Sequence, residues 1–150
     1  MIGVDLAGAM ELDNKLRNLE AKVGKKISRK AVRDGAKVIR DRAKQNARSL
    51  VGGKMGKLLA KYLTIRAWKR KYQKGGFGVS VQLSDKANEQ FVSISKSGKR
   101  SYIPSAIEYG HAYAAPNPFM RKAFDEEKNK AANKIISSLK AGIEEEAKKK

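Results

Sequence analysis

The 150-residue chain contains no cysteine, one histidine and three prolines. Without thiols there are no disulfides, thiol nucleophiles or thiolate metal sites, and a lone His111 excludes every site that needs several imidazoles. Aromatic residues make up only 7% of the chain, with a single tryptophan. No apolar run approaches the roughly 18 residues that read as a membrane-spanning helix. The first ten residues carry Asp5 and no basic cluster, so they do not read as a secretory leader, and synthesis in a cytoplasm is expected. Acidic residues are scarce as well: 15 Asp and Glu stand against 34 Lys and Arg, a net charge of +19.

What is present is enough for a folded domain. Hydrophobic residues are 41% of the chain, and at this length about 68–70% of the unfolded surface is buried on folding. Residues 1–150 read as a single domain, with no internal repeat and no shift in composition. The charge is unevenly spread. Residues 22–74 hold nineteen basic residues against only Asp34 and Asp41, whereas residues 75–150 hold thirteen basic and nine acidic ones. Such a field favours polyanions, nucleic acid first, then acidic protein surfaces or anionic lipid, so a stand-alone nucleic-acid-binding module using residues 22–74 is one expected function. A merely solubilising surface is the competing reading.

Along the chain, Leu12, Leu16, Leu19 and Val23 mark one stripe of a helix over residues 6–23, with Gly24 at its end. Ile27, Ala31, Gly35, Val38 and Ile39 describe a second helix running to about Ala47. The three glycines of residues 49–56 read as a mobile loop. Residues 62–72 alternate as a first strand, and residues 77–83 do so cleanly with Phe77, Val79, Val81 and Leu83 on one side. After a polar connection at 84–89, Phe91, Val92 and Ile94 suggest a third strand. Ser97-Gly98 then turns the chain into a fourth strand from Tyr102 to Ile107. Residues 111–119 must be extended or turned because of Pro116 and Pro118. From Phe119 a long helix continues to about Glu146. The expected fold is α+β: an antiparallel sheet of about four strands, with two N-terminal helices and one long C-terminal helix packed on it.

Tests for chemistry mostly fail. Between Gly52 and Gly56 lie three residues where a phosphate-binding loop needs four, and Lys57 is followed by Leu58 instead of a hydroxyl. Gly75, Gly76 and Gly78 lead into a strand, whereas a dinucleotide fingerprint must follow one and open a helix. Glu108 and His111 could orient each other for acid–base work, but no third polar partner accompanies them, so a structural or interface role is the better reading. Asp125, Glu126 and Glu127 open the long helix, where negative charge suits its dipole. No catalytic, cofactor or metal site is expected. Trp68 on a basic strand suits either stacking on nucleic acid or packing under the last helix.

Residues 102–124, YIPSAIEYGHAYAAPNPFMRKAF, carry a more specific pattern: Tyr102, the step Glu108-Tyr109-Gly110, a small-residue segment, and Pro118-Phe119 opening the last helix. This resembles the tail-completion, or head-tail joining, family of long-tailed bacteriophages, related to minor tail protein Z of phage lambda. His111 stands where that pattern usually has a small hydroxyl residue, and the Ala-Pro that usually closes the second helix is absent. The resemblance implies a non-catalytic neck subunit of the virion, made in the host cytoplasm and self-associating, with a ring of six as the implied assembly. Its implied partners are tail-terminator and tail-tube proteins and head-closure or connector proteins. No membrane is implied. Motif residues Tyr102, Glu108, Tyr109, Gly110, Pro118 and Phe119 would be structural or interfacial. Lys54, Lys57, Lys61, Arg66, Lys69, Arg70 and Lys71 are the candidates for an interface or for contact with passing DNA. Six copies at +19 each far exceed the about 24 phosphates in ~40 Å of duplex, so most of that charge must face acidic neighbours or solvent.

Overall fold

The computed structural model describes residues 6–19, 21–69 and 76–149. In chain order the elements are helices α1 (Leu6–Arg17) and α2 (Ala21–Asn46), a π-helical turn (Ala47–Val51) and α3 (Gly53–Tyr62). Strands β1 (Leu63–Ala67) and β2 (Val79–Leu83), a 3-10 helix (Asp85–Phe91), and strands β3 (Val92–Ile94) and β4 (Arg100–Tyr102) follow. Helices α4 (Ile103–Tyr109) and α5 (Phe119–Ala147) complete the chain. The mixed class and the long last helix agree with the sequence, but the four strands form two separate two-stranded sheets, β1–β2 and β3–β4, in place of one meander. In the first pair, Trp68 N–H donates to Gly78 O and Ser84 N–H to Tyr62 O, both at 2.9 Å. In the second, Val92, Ser93 and Ile94 face Tyr102, Ser101 and Arg100 in antiparallel register.

The chain divides into two compact units: Met1–Ile39 with Ile65–Ser80 and Glu127–Lys150, and Arg40–Thr64 with Val81–Glu126. The first buries Leu12, Ala31, Ala36, Ala131 and Ile143. Glycines permit its closest helix contacts, since a Cβ on Gly35 would lie 2.4 Å from Ile135 Cγ1 and one on Gly142 would lie 2.7 Å from Ile27 Cγ2. The second unit has a contiguous core of Ala43, Ala47, Leu59, Ala60, Leu63, Ala87, Phe91, Phe119 and Ala123. Phe91 and Phe119 are fully buried there, and burying each contributes about 1.5–3 kcal/mol.

Three sequence expectations are corrected. Helix α1 ends at Arg17, and Gly24 lies inside α2, where a Cβ would come 3.3 Å from Leu16 O. That glycine marks a close approach of two chain segments, not a helix end. The supposed mobile loop at 49–56 is a π-helical turn and the first turn of α3. Only Gly52 and Gly53 take the positive φ of a corner, while Gly56 is buried in α3 because a Cβ there would meet Ala47 O at 2.4 Å. Finally, the fourth strand stops at Tyr102, and Ile103–Tyr109 is helical with Pro104 in its first turn, a position where proline costs no hydrogen bond.

Candidate interaction site

Helix α5 begins without a side-chain cap of its own. Lys122 N–H donates to Pro118 O at 3.2 Å, which puts Pro118 at the capping position with no side-chain acceptor to offer. The orphan amides of the first turn are satisfied from another helix: Glu108 of α4 accepts from Met120 N–H at 3.0 Å and from Arg121 N–H at 2.9 Å. Its carboxylate also accepts from Arg121 Nε at 3.2 Å, and Arg121 Nη2 donates to Glu108 O at 2.7 Å. Glu108 is buried, so its charge is compensated both by the guanidinium and by the positive end of the helix. The Arg121 guanidinium carbon lies 4.8 Å from the centroid of the Tyr109 ring. Asp125, Glu126 and Glu127 lie beyond the first turn of α5, which holds no acidic residue; Glu108 has the role expected of them.

The segment that joins α4 to α5 is equally determined. Gly110 has φ 74°, and a Cβ there would lie 2.9 Å from both Ala114 O and Pro116 N, so only glycine fits on two counts. His111 and Ala114 exchange backbone hydrogen bonds at 3.0 and 3.1 Å, and Asn117 N–H donates to Ile107 O at 2.6 Å. His111 Nδ1 accepts from Tyr113 N–H at 3.3 Å. The acid–base pairing of Glu108 with His111 is thereby not assembled: each makes the contacts just described. Tyr113, at the tip of this turn, is 96% exposed, with Tyr109 at 67% and Ile94 at 66%. An adjoining groove of about 690 Å³ is lined by Val51, Ile103, Ile107, Ala112, Ala114 and Ala115, among others. Glu108 lines a second groove together with Tyr102 and Asp85. Partial burial, then the Asp85 charge, raise the Tyr102 phenol above its ordinary value.

The basic candidates separate. Lys54, Lys57 and Lys61 are exposed on α3 at spacings of three and four, hence on one face of that helix, with Lys61 Nζ 5.2 Å from the Tyr62 ring centroid. Arg66 and Lys69 are exposed and belong to the other unit. Arg70 and Lys71 lie outside the described residues. Trp68 is 48% exposed and its ring lies against the backbone of Gly78, where a Cβ would approach Cε3 to 2.5 Å. Among the described residues no group of acids and histidines could hold a metal ion, and no helix is long and apolar enough to cross a membrane.

The capping role of Glu108 was the functional geometry least visible in the sequence. Its signal was the absence of a Ser, Thr, Asp or Asn at position 118, ahead of an otherwise well-formed helix. A family model described as "Bacteriophage HK97-gp10, putative tail-component" matches residues 10–110. No curated protein and no solved structure shows significant similarity to the chain.

Proposed function

Because the chain belongs to the HK97-gp10-like family of bacteriophage tail components, we propose that it is a structural, non-catalytic neck subunit that completes the tail and joins it to the head, as the tail-completion proteins related to lambda protein Z do. The observation that carries this reading is the tyrosine turn. Tyr113 stands 96% exposed on a segment whose backbone is pinned by four hydrogen bonds between 107 and 117 and by Gly110. An exposed aromatic on a pre-ordered backbone, beside an apolar groove, is the form of a protein–protein anchor. On this reading its partners are further copies of the chain, in a ring of six, together with tail-terminator, tail-tube and connector proteins, and its location is the virion. On the same reading the motif residues Tyr102, Glu108, Tyr109, Gly110, Pro118 and Phe119 shape that surface, and the exposed Lys54, Lys57 and Lys61 of α3 supply charge for acidic neighbours.

The test is a phage with this gene inactivated, complemented in trans by wild-type or Tyr113→Ala protein and viewed by electron microscopy. Filled heads and separate, complete tails should accumulate without the protein and with the variant. Intact particles in its absence, or tails that never form, would refute the neck assignment.

A further inference from the structure

Helix α2 carries a second charged surface that the tyrosine turn does not use. Lys22, Lys25, Arg29 and Arg33 are all exposed, and at about 100° per residue they fall within about 80° of one another. Along the axis they extend over about 16 Å. Among the described residues none of the four takes part in an ion pair, although elsewhere Lys37 pairs with Asp34, Arg42 with Glu126 and Arg121 with Glu108. Arg29 and Arg33 are not free to scatter: their guanidinium carbons lie 5.4 and 5.5 Å from the centroid of the Phe77 ring. The same ring thus orders two like charges side by side. The groove next to them is lined by Lys25, Arg29 and Phe77, and its one carboxylate among the described residues, Asp13, is held by Arg17 at 2.8 Å.

We propose that this face of α2 binds the phosphate backbone of duplex DNA without reading sequence. Four cations in a straight row, two of them fixed as guanidinium forks, complement a linear array of phosphates at one charge per about 1.7 Å of duplex. An acidic protein surface is the less suitable occupant. Protein interfaces are centred on buried apolar or aromatic anchors, and residues 21–39 contain no exposed large hydrophobic side chain. The two arginines lie over the Phe77 ring, so that ring is not offered to single strands for stacking, and the four cations are left for contacts to phosphate. Only four of the chain's cations are assigned to DNA, so the large positive excess elsewhere remains for other surfaces.

The test measures binding of the full chain to a labelled duplex of about 20 base pairs by fluorescence anisotropy, from about 50 to 200 mM salt. Replacing the four residues together, K22Q/K25Q/R29Q/R33Q, should lower the log–log salt slope by about 3–4 and weaken binding at least tenfold. The charge-preserving R29K/R33K variant should keep the wild-type slope, and changing the duplex sequence should change nothing. Circular dichroism establishes that each variant is folded. An unchanged slope in the folded quadruple variant overturns the proposal. So does equal competition by polyglutamate at matched charge, which would make the face a site for acidic protein. The inference does not rest on the neck assignment: if the quadruple variant loses DNA but the gene proves dispensable for joining, the former stands and the latter falls.

Discussion

The turn between α4 and α5 and the cationic face of α2 use charge in opposite ways. In the first, Glu108 and Arg121 are committed to each other and to the amides that open α5, and what is left to meet a partner is aromatic. In the second, four cations have no carboxylate partner among the described residues, and the aromatic ring of Phe77 lies beneath them as support. Paired charge there fixes a backbone; unpaired charge on α2 waits for an anion from outside. A net charge of +19 is therefore not one property of the surface but the sum of regions with different tasks.

The contrast can be broken most strongly at Phe119. Its side chain is fully buried where α5 starts, and Phe119→Ala should cost about 3–5 kcal/mol, read as a large fall in the urea midpoint. An unchanged melt would mean that the turn does not depend on its core. Glu108→Ala comes next, at about 2–3 kcal/mol, because it leaves two helix amides and Arg121 Nε without their acceptor. Glu108→Gln should recover part of this, since one amide oxygen can still accept, and full recovery would show that the charge itself contributes nothing.

A smaller effect is expected at Asp34. The Lys37 ammonium at 2.8 Å, with help from the Ser138 hydroxyl, holds its carboxyl below the ordinary value against the opposing effect of partial burial. A depressed folded-state pKa stabilises the protein above the unfolded value of about 3.9, and that contribution is lost as pH falls through the lower folded value. The Tm difference between wild type and Asp34→Asn should accordingly be present at neutral pH and close below about pH 4. Smallest of all, Lys54→Gln, Lys57→Gln and Lys61→Gln should each change stability by less than about 0.5 kcal/mol. A loss several times larger would place these exposed lysines in the structural class with Arg121.

Sequence periodicity revealed β2, β3, the Gly98 turn and the whole of α5, because each has an unmixed pattern or an unambiguous breaker. It failed where glycine served space and not flexibility. Gly24 and Gly56 look like breaks on a linear reading, yet both sit within helices beside another backbone carbonyl, which a Cβ would meet tightly at 3.3 Å at Gly24 and at an impossible 2.4 Å at Gly56. The apolar spacing of Met55, Leu58, Leu59 and Tyr62 was helical all along. The fourth strand was extended too far for a different reason: the Ser97-Gly98 turn predicts a strand after it, but Ile103, Ala106 and Ile107 share a helical face and Pro104 sits in the first turn of that helix. Of the interaction surface, the motif residues were legible as a group, while the hydrogen bonds from Glu108 to α5 were not, since they join residues twelve and thirteen apart that no local period connects.

The paired glycine contacts of the first unit have a mechanical consequence. Ile135 fills the space left by Gly35, and Ile27 the space left by Gly142, so each helix supplies one tooth and one notch to the other, eight residues apart on α2. Sliding by a turn, about 5.4 Å, would set Ile135 against Ala31 or Ile39, each carrying a Cβ where none can be accommodated now. The two helices can bend or separate, but they cannot creep along one another, so a pull along α5 passes to α2 without slippage.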